Sequence, residues 1–236
     1  MSRIAIVAAL EREVSPLINT WRVCEREHEG RRFRFFESGE VVVICGGIGA
    51  AAARRAAEAV IANYHPAIIY SAGFAGALDA SLKVGDVISP RRIVDSGDSS
   101  SVVLDAGEGV LVSFRSVATP AQKAMLRESY GAQAVDMEAA AVARAADARG
   151  VPFAAVKVIS DEMDFELPAT EQFVTAEGKF LTGRFALHAA LRPWLWGRVV
   201  HLARNSKHAS RKLCDALRRV DVTSTPRPVE QEGVQR

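Results

Sequence analysis

Carboxylates stand where apolar runs end, and these residues are the ones in the sequence that most suggest chemistry. Glu13 follows the first apolar run, Asp161 closes a later one, and Asp136 and Glu138 flank Met137 in the stretch AVDMEAAAVA. In open α/β sheets, ligands bind at the carboxyl ends of the strands. Carboxylic acids gathered there can transfer protons and stabilise a developing positive charge. Helix capping is the alternative explanation for each acid, because a carboxylate complements the positive end of a helix.

The stretch GGIGA at residues 46–50 is a second feature with chemical potential. Its glycines bring bare backbone N–H groups to the start of an alanine-rich helical pattern, a place that binds anions and hydroxyl groups. We therefore expect Gly47 and Gly49 to border a pocket for an anion or a water molecule. Glycines also serve ordinary turns, so this stretch is weak evidence by itself.

Short apolar runs alternate with helical patterns, which predicts an α/β fold in which helices pack on a sheet. The predicted strands lie at residues 3–10, 32–38, 40–47, 67–78, 84–98, 109–119 and 151–160, and the second and third form a hairpin. The predicted helices lie at residues 49–64, 120–131 and 138–150, with a long helical pattern at 184–220.

The composition is that of a soluble globular protein, since 49% of the 236 residues are hydrophobic and 25% are charged. No apolar run approaches the length of a membrane span. The three cysteines lie far apart and fit neither a disulfide framework nor a zinc spacing. We therefore expect a cytoplasmic protein that has no metal site.

The C-terminal part of the chain differs from its body in charge. Residues 181–236 hold 11 basic and 4 acidic residues, whereas residues 1–180 hold 19 and 24. We accordingly predict a catalytic domain at 1–183, a basic amphipathic helical extension at 184–222 and a disordered tail at 223–236.

Two roles are open for the basic helical extension. Amphipathic helices usually pack their apolar stripe on a sheet or on a partner subunit, and this role is favoured. The second role is a peripheral membrane contact through residues 194–220, because Trp194 and Trp196 lie among arginines and lysines. No nucleic-acid binding is expected, because neither an aromatic platform nor a known nucleic-acid module accompanies the charge.

Five segments occur in an order and spacing that are much more specific than any one of them. They are IAIVAALEREV, GGIGAAAA, AGFAGALDASLKVGDVI, AVDMEAAAVA and VPFAAVKVISD. Together they resemble the purine nucleoside phosphorylase/uridine phosphorylase superfamily, and within it the methylthioadenosine/S-adenosylhomocysteine nucleosidases. The resemblance implies a three-layer α/β/α fold with a central twisted mixed sheet, a homo-oligomer (dimer or trimer), a purine nucleoside substrate and no cofactor.

The resemblance also implies roles for the acids. The residue matching Glu13 activates the attacking water, and the one matching Glu138 accepts hydrogen bonds from the ribose 2′- and 3′-hydroxyls. Met137 then packs under the sugar, and Asp161 protonates or hydrogen-bonds purine N7. These roles agree with the chemistry, because breaking an N-glycosidic bond builds positive charge on the ribose and negative charge on the base.

This sequence departs from the family pattern at several positions. Asp136 replaces a glutamate, and Lys157 replaces an arginine, which keeps the charge but loses the planar fork. Phe74 stands where the family has a serine. We expect Phe74, Val117 and Ser160 to face the base, in a site that differs in shape from that of the relatives.

The nucleophile can be water or phosphate. Hexameric phosphorylases of this superfamily place arginines at the positions that hold Glu13 and, approximately, Ser71 in this sequence. An anion would meet a carboxylate there, which favours hydrolysis. Besides the two glycines, Ser71 and Lys157 are expected in the anion or water pocket, and inorganic phosphate would be the co-substrate of a phosphorylase.

Two further functions stay open. The segment between Asp98 and Val110 is shorter than in typical nucleosidases, and the tail is basic and carries tryptophans. Both features resemble the hopanoid-associated branch of the superfamily, which implies a lipid-linked adenosine (adenosylhopane) as substrate. A nucleoside-binding protein without turnover is the other alternative, suggested by Phe74 and the short segment.

Overall fold

The computed structural model describes residues 3–165 and 196–220, together with residues 173, 175, 178, 180, 181, 183, 184 and 192. The predicted disordered tail at 223–236 and Trp194 lie outside the described residues, as does most of the chain between 166 and 195.

The described elements alternate along the chain as an α/β protein requires. The strands are β1 (Ile4–Ala8), β2 (Arg22–His28), β3 (Arg31–Ser38), β4 (Val41–Cys45), β5 (Ile68–Ala77), β6 (Val87–Ile88), β7 (Arg92–Asp95), β8 (Ser101–Val103), β9 (Val110–Ser113), β10 (Ala134–Asp136) and β11 (Phe153–Asp161). The helices are α1 (Glu11–Ile18), α2 (Ala50–Tyr64), α3 (Pro120–Tyr130), α4 (Ala139–Asp147) and α5 (Trp196–Leu217).

The strands form one mixed sheet. Its order is β2-β3-β4-β1-β5-β10-β9-β7-β8, and β11 pairs with both β5 and β6. Strand β1 lies parallel to β4 and β5, and β11 runs parallel to β5, whereas β10 is antiparallel to β5. The carboxyl ends of β1, β5 and β11 therefore meet at one edge of the sheet.

Two apolar clusters cover opposite faces of the sheet and produce three layers. Along β1, Ala5 and Val7 pack with helices α2 and α4, whereas Ile4 and Ile6 pack with α1 and α5 on the other face. This alternation follows from the two-residue period of a strand. The expected three-layer α/β/α fold with a mixed sheet is confirmed.

The structure refines two of the predicted strands and adds three, β2, β8 and β10. The hairpin of β3 and β4 forms as expected, and β2 adds a third antiparallel strand that the sequence analysis did not assign. The segment 84–98, predicted as one bent strand, contains two separate strands, β6 and β7. The segment 109–119 is a strand only as far as Ser113.

The C-terminal helix α5 packs on the sheet through its second half. Ala209, Leu213 and Leu217, spaced four residues apart, are buried in the cluster that also contains α1. Basic side chains such as Arg211 and Arg218 lie on the exposed side. Among the described residues, no helix is long and apolar enough to cross a membrane.

Replacing Leu213 by alanine should show how firmly α5 is docked. The side chain is fully buried, so we expect the free energy of unfolding to fall by about 2–5 kcal/mol, through lost burial and an added cavity. Urea unfolding measures this change. Val200→Ala on the exposed side of the same helix is the control and should alter stability by less than about 0.5 kcal/mol. Equal, small effects of both substitutions would contradict the docking.

Candidate active site

A cavity of about 720 Å³ opens at the edge where β1, β5 and β11 end. Nine of the eleven side chains or glycines predicted for the site line this cavity. They are Glu13, Gly49, Phe74, Val117, Met137, Glu138, Lys157, Ser160 and Asp161. The topology thus brings together residues that are up to 148 positions apart in sequence, from Glu13 to Asp161.

The two remaining predicted residues lie behind the cavity wall. Gly47 donates its N–H to the carbonyl oxygen of Ala9 (2.9 Å) and does not line the cavity. Ser71 is buried within β5, one residue before Ala72, where the wall begins, and its Oγ has no hydrogen-bond partner among the described residues. Neither is placed to touch an anion in the cavity.

Glu138 is oriented by the backbone around it. Gly49 donates its N–H to Oε1 of Glu138 (2.8 Å), and Met137 donates its N–H to Oε2 (3.2 Å). Gly49 has a φ of 93°, in the region that favours glycine, and this conformation accompanies the contact. Glu138 occupies the N-cap position of α4, yet its side chain makes no capping hydrogen bond. Helix capping therefore does not explain this residue.

Asp136 does what the capping explanation predicts. Its carboxylate accepts hydrogen bonds from the N–H of Ala139 in the first turn of α4 (2.9 Å) and from Oγ of Ser113 (2.6 Å). It also forms an ion pair with Nζ of Lys157 at 2.8 Å, and both side chains are buried. Three donors hold this acid, which fixes the end of β10 and the start of α4.

Two carboxyl groups that line the cavity, those of Glu13 and Glu138, have raised pKa values. Burial, and secondarily the nearby Glu138, raises the pKa of Glu13 from 4.5 to about 8. Burial followed by repulsion from Asp136 also raises the pKa of Glu138. Burial would lower the pKa of Lys157, but attraction to Asp136 and to Glu138 outweighs it, so that pKa is raised. The lysine therefore stays charged and compensates the buried acids.

Asp161 lies at the other end of the cavity, between two donors. Ser160 donates Oγ–H to Oδ1 of Asp161 (2.8 Å), and Lys123 donates from Nζ to Oδ2 (2.5 Å). Lys123 also donates to the carbonyl oxygen of Glu162 (2.7 Å). The carboxylate of Asp161 is therefore an ion-paired, doubly hydrogen-bonded group.

Lys123 was missed by the sequence analysis. Its side chain is only 1% exposed, and it lies three residues before the buried Leu126 on the inner face of α3. The spacing from Leu126 could have predicted that Lys123 faces inward, because residues three apart share a helix face. A lysine in a helix is ordinarily solvated, so residue type pointed the other way.

Helix α5, the start of α1 and Phe180 supply a second set of wall residues that the sequence did not predict. These are Arg12, Phe180, Val199, Leu202, Ala203 and Ser206. The guanidinium of Arg12 lies over the ring of Phe180, 4.9 Å from its centroid. The first half of α5 therefore presents mostly small and apolar side chains to the cavity.

The backbone N–H groups of the glycine loop, residues 46–49, are all engaged in hydrogen bonds. Their acceptors are, in order, the carbonyl oxygens of Ala8, Ala9 and Gly178 and Oε1 of Glu138. The loop thus fixes the wall and orients Glu138, and these four donors are not offered to a ligand.

The sequence matches a known protein family and individual relatives. The family model described as "Phosphorylase superfamily" matches residues 3–121 and 109–186. A 5′-methylthioadenosine/S-adenosylhomocysteine nucleosidase of Staphylococcus aureus (strain MRSA252) is 30% identical over 207 aligned residues, which cover 69% of this chain and 90% of the relative.

Solved structures share the fold at lower identity. The 5′-methylthioadenosine/S-adenosylhomocysteine nucleosidase of Neisseria meningitidis, in complex with methylthio-immucillin-A, has a TM-score of 0.67 at 17% identity and covers 92% of this chain and 97% of its own. The futalosine hydrolase of Helicobacter pylori has a TM-score of 0.65 at 18% identity, with the same coverage of 92% and 97%.

Glu13 should make the stability of the protein depend on pH. Its pKa is raised from 4.5 to about 8, so the folded state binds this proton more tightly than the unfolded state does. The free energy of unfolding should therefore fall as the pH rises from 4.5 through about 8. Glu13→Gln removes the ionisation and should lessen that fall by an amount on the order of a few kcal/mol.

Urea unfolding at a series of pH values measures this difference. Glu11→Gln is the matched control, because Glu11 lies on the same helix but is exposed. Parallel stability curves for the wild type and Glu13→Gln would contradict the assignment of a raised pKa to Glu13.

Proposed function

Because the chain belongs to the phosphorylase superfamily, we propose that it cleaves the N-glycosidic bond of a purine nucleoside with water as the nucleophile. Methylthioadenosine and S-adenosylhomocysteine, named for the Staphylococcus aureus relative, are the first substrates to test. One observation carries the proposal: Glu13, Glu138 and Asp161 all line the same cavity.

The geometry suits a reaction that separates charge. When the bond between C1′ and N9 breaks, positive charge develops on the ribose and the electron pair moves to the purine. Glu138, oriented by two backbone N–H groups, accepts hydrogen bonds from the ribose hydroxyls and stabilises the positive charge. Asp161 faces the base and provides the proton that the leaving purine needs. A hydroxide unit from water completes the sugar, and its proton passes to Glu13.

The glycine loop supports water over phosphate. A phosphorylase needs donors for its anion; the N–H groups of residues 46–49 already have acceptors within the protein, so such donors would have to be side chains such as Arg12 and Arg115, which line the cavity. The charge argument from Glu13 is weaker than the sequence suggested, because a carboxyl with a pKa of about 8 is mostly neutral at pH 7. Its high proton affinity instead suits a general base, once it is ionised.

The product distinguishes the two nucleophiles. Incubation with methylthioadenosine, S-adenosylhomocysteine, adenosine or inosine should release free base and free sugar at a rate that phosphate does not change. A requirement for phosphate, together with a sugar 1-phosphate product, would establish the phosphorolytic alternative instead. Tight adenine binding by calorimetry without release of base from any nucleoside would indicate a binding protein that lacks turnover.

Replacing Asp161 by asparagine should lower kcat by about 100-fold or more, because the amide cannot transfer a proton to the leaving base. The amide keeps the shape of the carboxylate but leaves the buried ammonium of Lys123 without its counter-charge, so the thermal midpoint should fall and turnover is compared below the midpoint of the variant. Asp164→Asn, an exposed aspartate in the following turn, is the control and should leave turnover unaltered. Full activity of Asp161→Asn would refute the assigned role.

A second candidate substrate is an adenosine with a large apolar 5′ substituent, including the lipid-linked adenosine adenosylhopane. It is favoured by the apolar side chains that α5 adds to the cavity wall, Val199 and Leu202. In this case a membrane contact through residues 194–220 would supply the substrate, and Trp196 and Val200 are exposed at that end of the helix. A homo-oligomer and a cytoplasmic location are predictions that accompany both candidates.

Leu202→Glu tests this second candidate. A charge in the apolar wall should lower kcat/KM for a 5′-alkyl adenosine by about tenfold, whereas adenosine itself should be affected little. Arg211→Gln, on the exposed side of the same helix, changes the net charge by the same amount and is the control. Equal losses on both substrates would show that α5 does not contact the 5′ substituent.

A further inference from the structure

We propose that Lys123 is a positioning residue that holds Asp161 and supplies the proton that Asp161 passes to the departing purine. This inference rests on the proposed glycosidic cleavage and adds a residue to it. The resemblance to the nucleosidases assigns the proton to the aspartate alone, whereas here the aspartate is already paired with a buried cation.

The start of α3 is built to place Lys123. Thr119 and Gln122 form a reciprocal capping box, in which Gln122 donates its N–H to Oγ1 of Thr119 (3.3 Å) and Thr119 donates its N–H to Oε1 of Gln122 (2.9 Å). Pro120 occupies the first turn, where its fixed φ favours helix initiation. The helix therefore begins at a defined residue, and Lys123 leaves its first turn toward the cavity.

The ion pair of Lys123 with Asp161 lies almost entirely out of solvent. The side chain of Lys123 is 1% exposed and that of Asp161 is 5% exposed. Burying two charges removes hydration that their mutual attraction scarcely replaces, so such a pair adds little to stability. A chemical role accounts for the pair better than a stabilising one does.

The position of the pair separates it from the other buried lysine. Lys157 contacts Asp136, an acid that two further donors already fix at the start of α4. Asp161 lines the same cavity but caps no helix, and its carboxylate accepts hydrogen bonds only from the side chains of Ser160 and Lys123 among the described residues. The two lysines therefore serve different ends of the site.

As the C1′–N9 bond breaks, its electron pair moves onto the purine, which becomes more basic. The ammonium of Lys123 gives a proton to Oδ2 of Asp161, the carboxyl group gives a proton to N7, and Lys123 is left as a neutral amine. Water adds its oxygen to C1′, and its proton passes to Glu13. Glu13 then gives a proton to solvent and Lys123 takes one up from solvent, which restores both groups.

The first test compares leaving groups in the full-length protein. Lys123→Met should lower kcat for methylthioadenosine about 100-fold, with KM largely unchanged. On 4-nitrophenyl riboside, whose leaving group departs as a stable anion without a proton, the same variant should lose little. Lys83→Met is the matched control, because Lys83 is exposed and lies 3.8 Å from Glu162. Equal losses on both substrates would overturn the proposal.

A second test uses a purine nucleoside alone and so decides the matter if Lys123→Met folds poorly or the nitrophenyl riboside is not accepted. Lys123→Ala leaves space for a small amine, and ethylamine or 2-fluoroethylamine should restore turnover. Their ammonium ions are similar in size, but the fluorinated one is the stronger acid, so it should give the higher kcat at saturation if the proton is transferred. Absence of recovery, or equal kcat with both amines, would overturn the proposal.

The two proposals fail in different ways. A wild-type protein that releases base from no purine nucleoside would overturn the proposed function and this inference with it. A wild type that turns over, with a Lys123 variant insensitive to leaving group and to amine acidity, would overturn the inference alone.

Discussion

The confinement of several negative charges to one edge of a sheet is the constraint on which the cavity depends. Glu138 disfavours the ionisation of Glu13, and Asp136 disfavours that of Glu138. In an interior of low dielectric constant such repulsion is strong, so the fold needs a cation among them. Lys157 provides it from β11, which pairs with β5 on one side and β6 on the other. The pairing of β11 with two strands therefore holds the compensating charge in place.

The three acids differ in the number of hydrogen bonds that they accept from the protein. Asp136 accepts three hydrogen bonds and is a structural anchor, whereas Glu138 is oriented by two N–H groups and still borders the cavity. Oε2 of Glu13 is buried without a hydrogen-bond partner among the described residues. An unsatisfied oxygen in such a place is what a ligand hydroxyl or a water molecule can pair with. The site thus separates the acids that hold the fold from those that face a ligand.

Much of the fold could be predicted because it rests on local patterns. The apolar run at residues 3–10 predicted strand β1, and the helical pattern at 120–131 predicted α3, which begins at Pro120. The collinear motifs also placed most of the wall. They gave Glu138 a ligand-binding role but no role to Asp136, because both acids fit a helix start and only the hydrogen bonds show that Asp136 is the one that caps it.

The rest depended on contacts between distant segments. Lys123 is a residue type that is usually exposed, and its burial follows from an acid 38 positions later in the chain. Gly47 and Ser71 matched positions near the site in related proteins, but Gly47 is bonded to the backbone after β1, and Ser71 lies within β5 before the wall begins. The wall formed by α5 required a helix from the end of the chain to pack beside α1.

Helix α5 both packs in the core and lines the cavity. Leu213 and Leu217 in its second half are buried in the core. Val199 and Leu202 in its first half line the cavity. Substitutions near its start can alter which molecules fit, and those near its end are restricted by packing. The helix is therefore a place where substrate range can diverge between relatives while the acids that perform the chemistry stay the same.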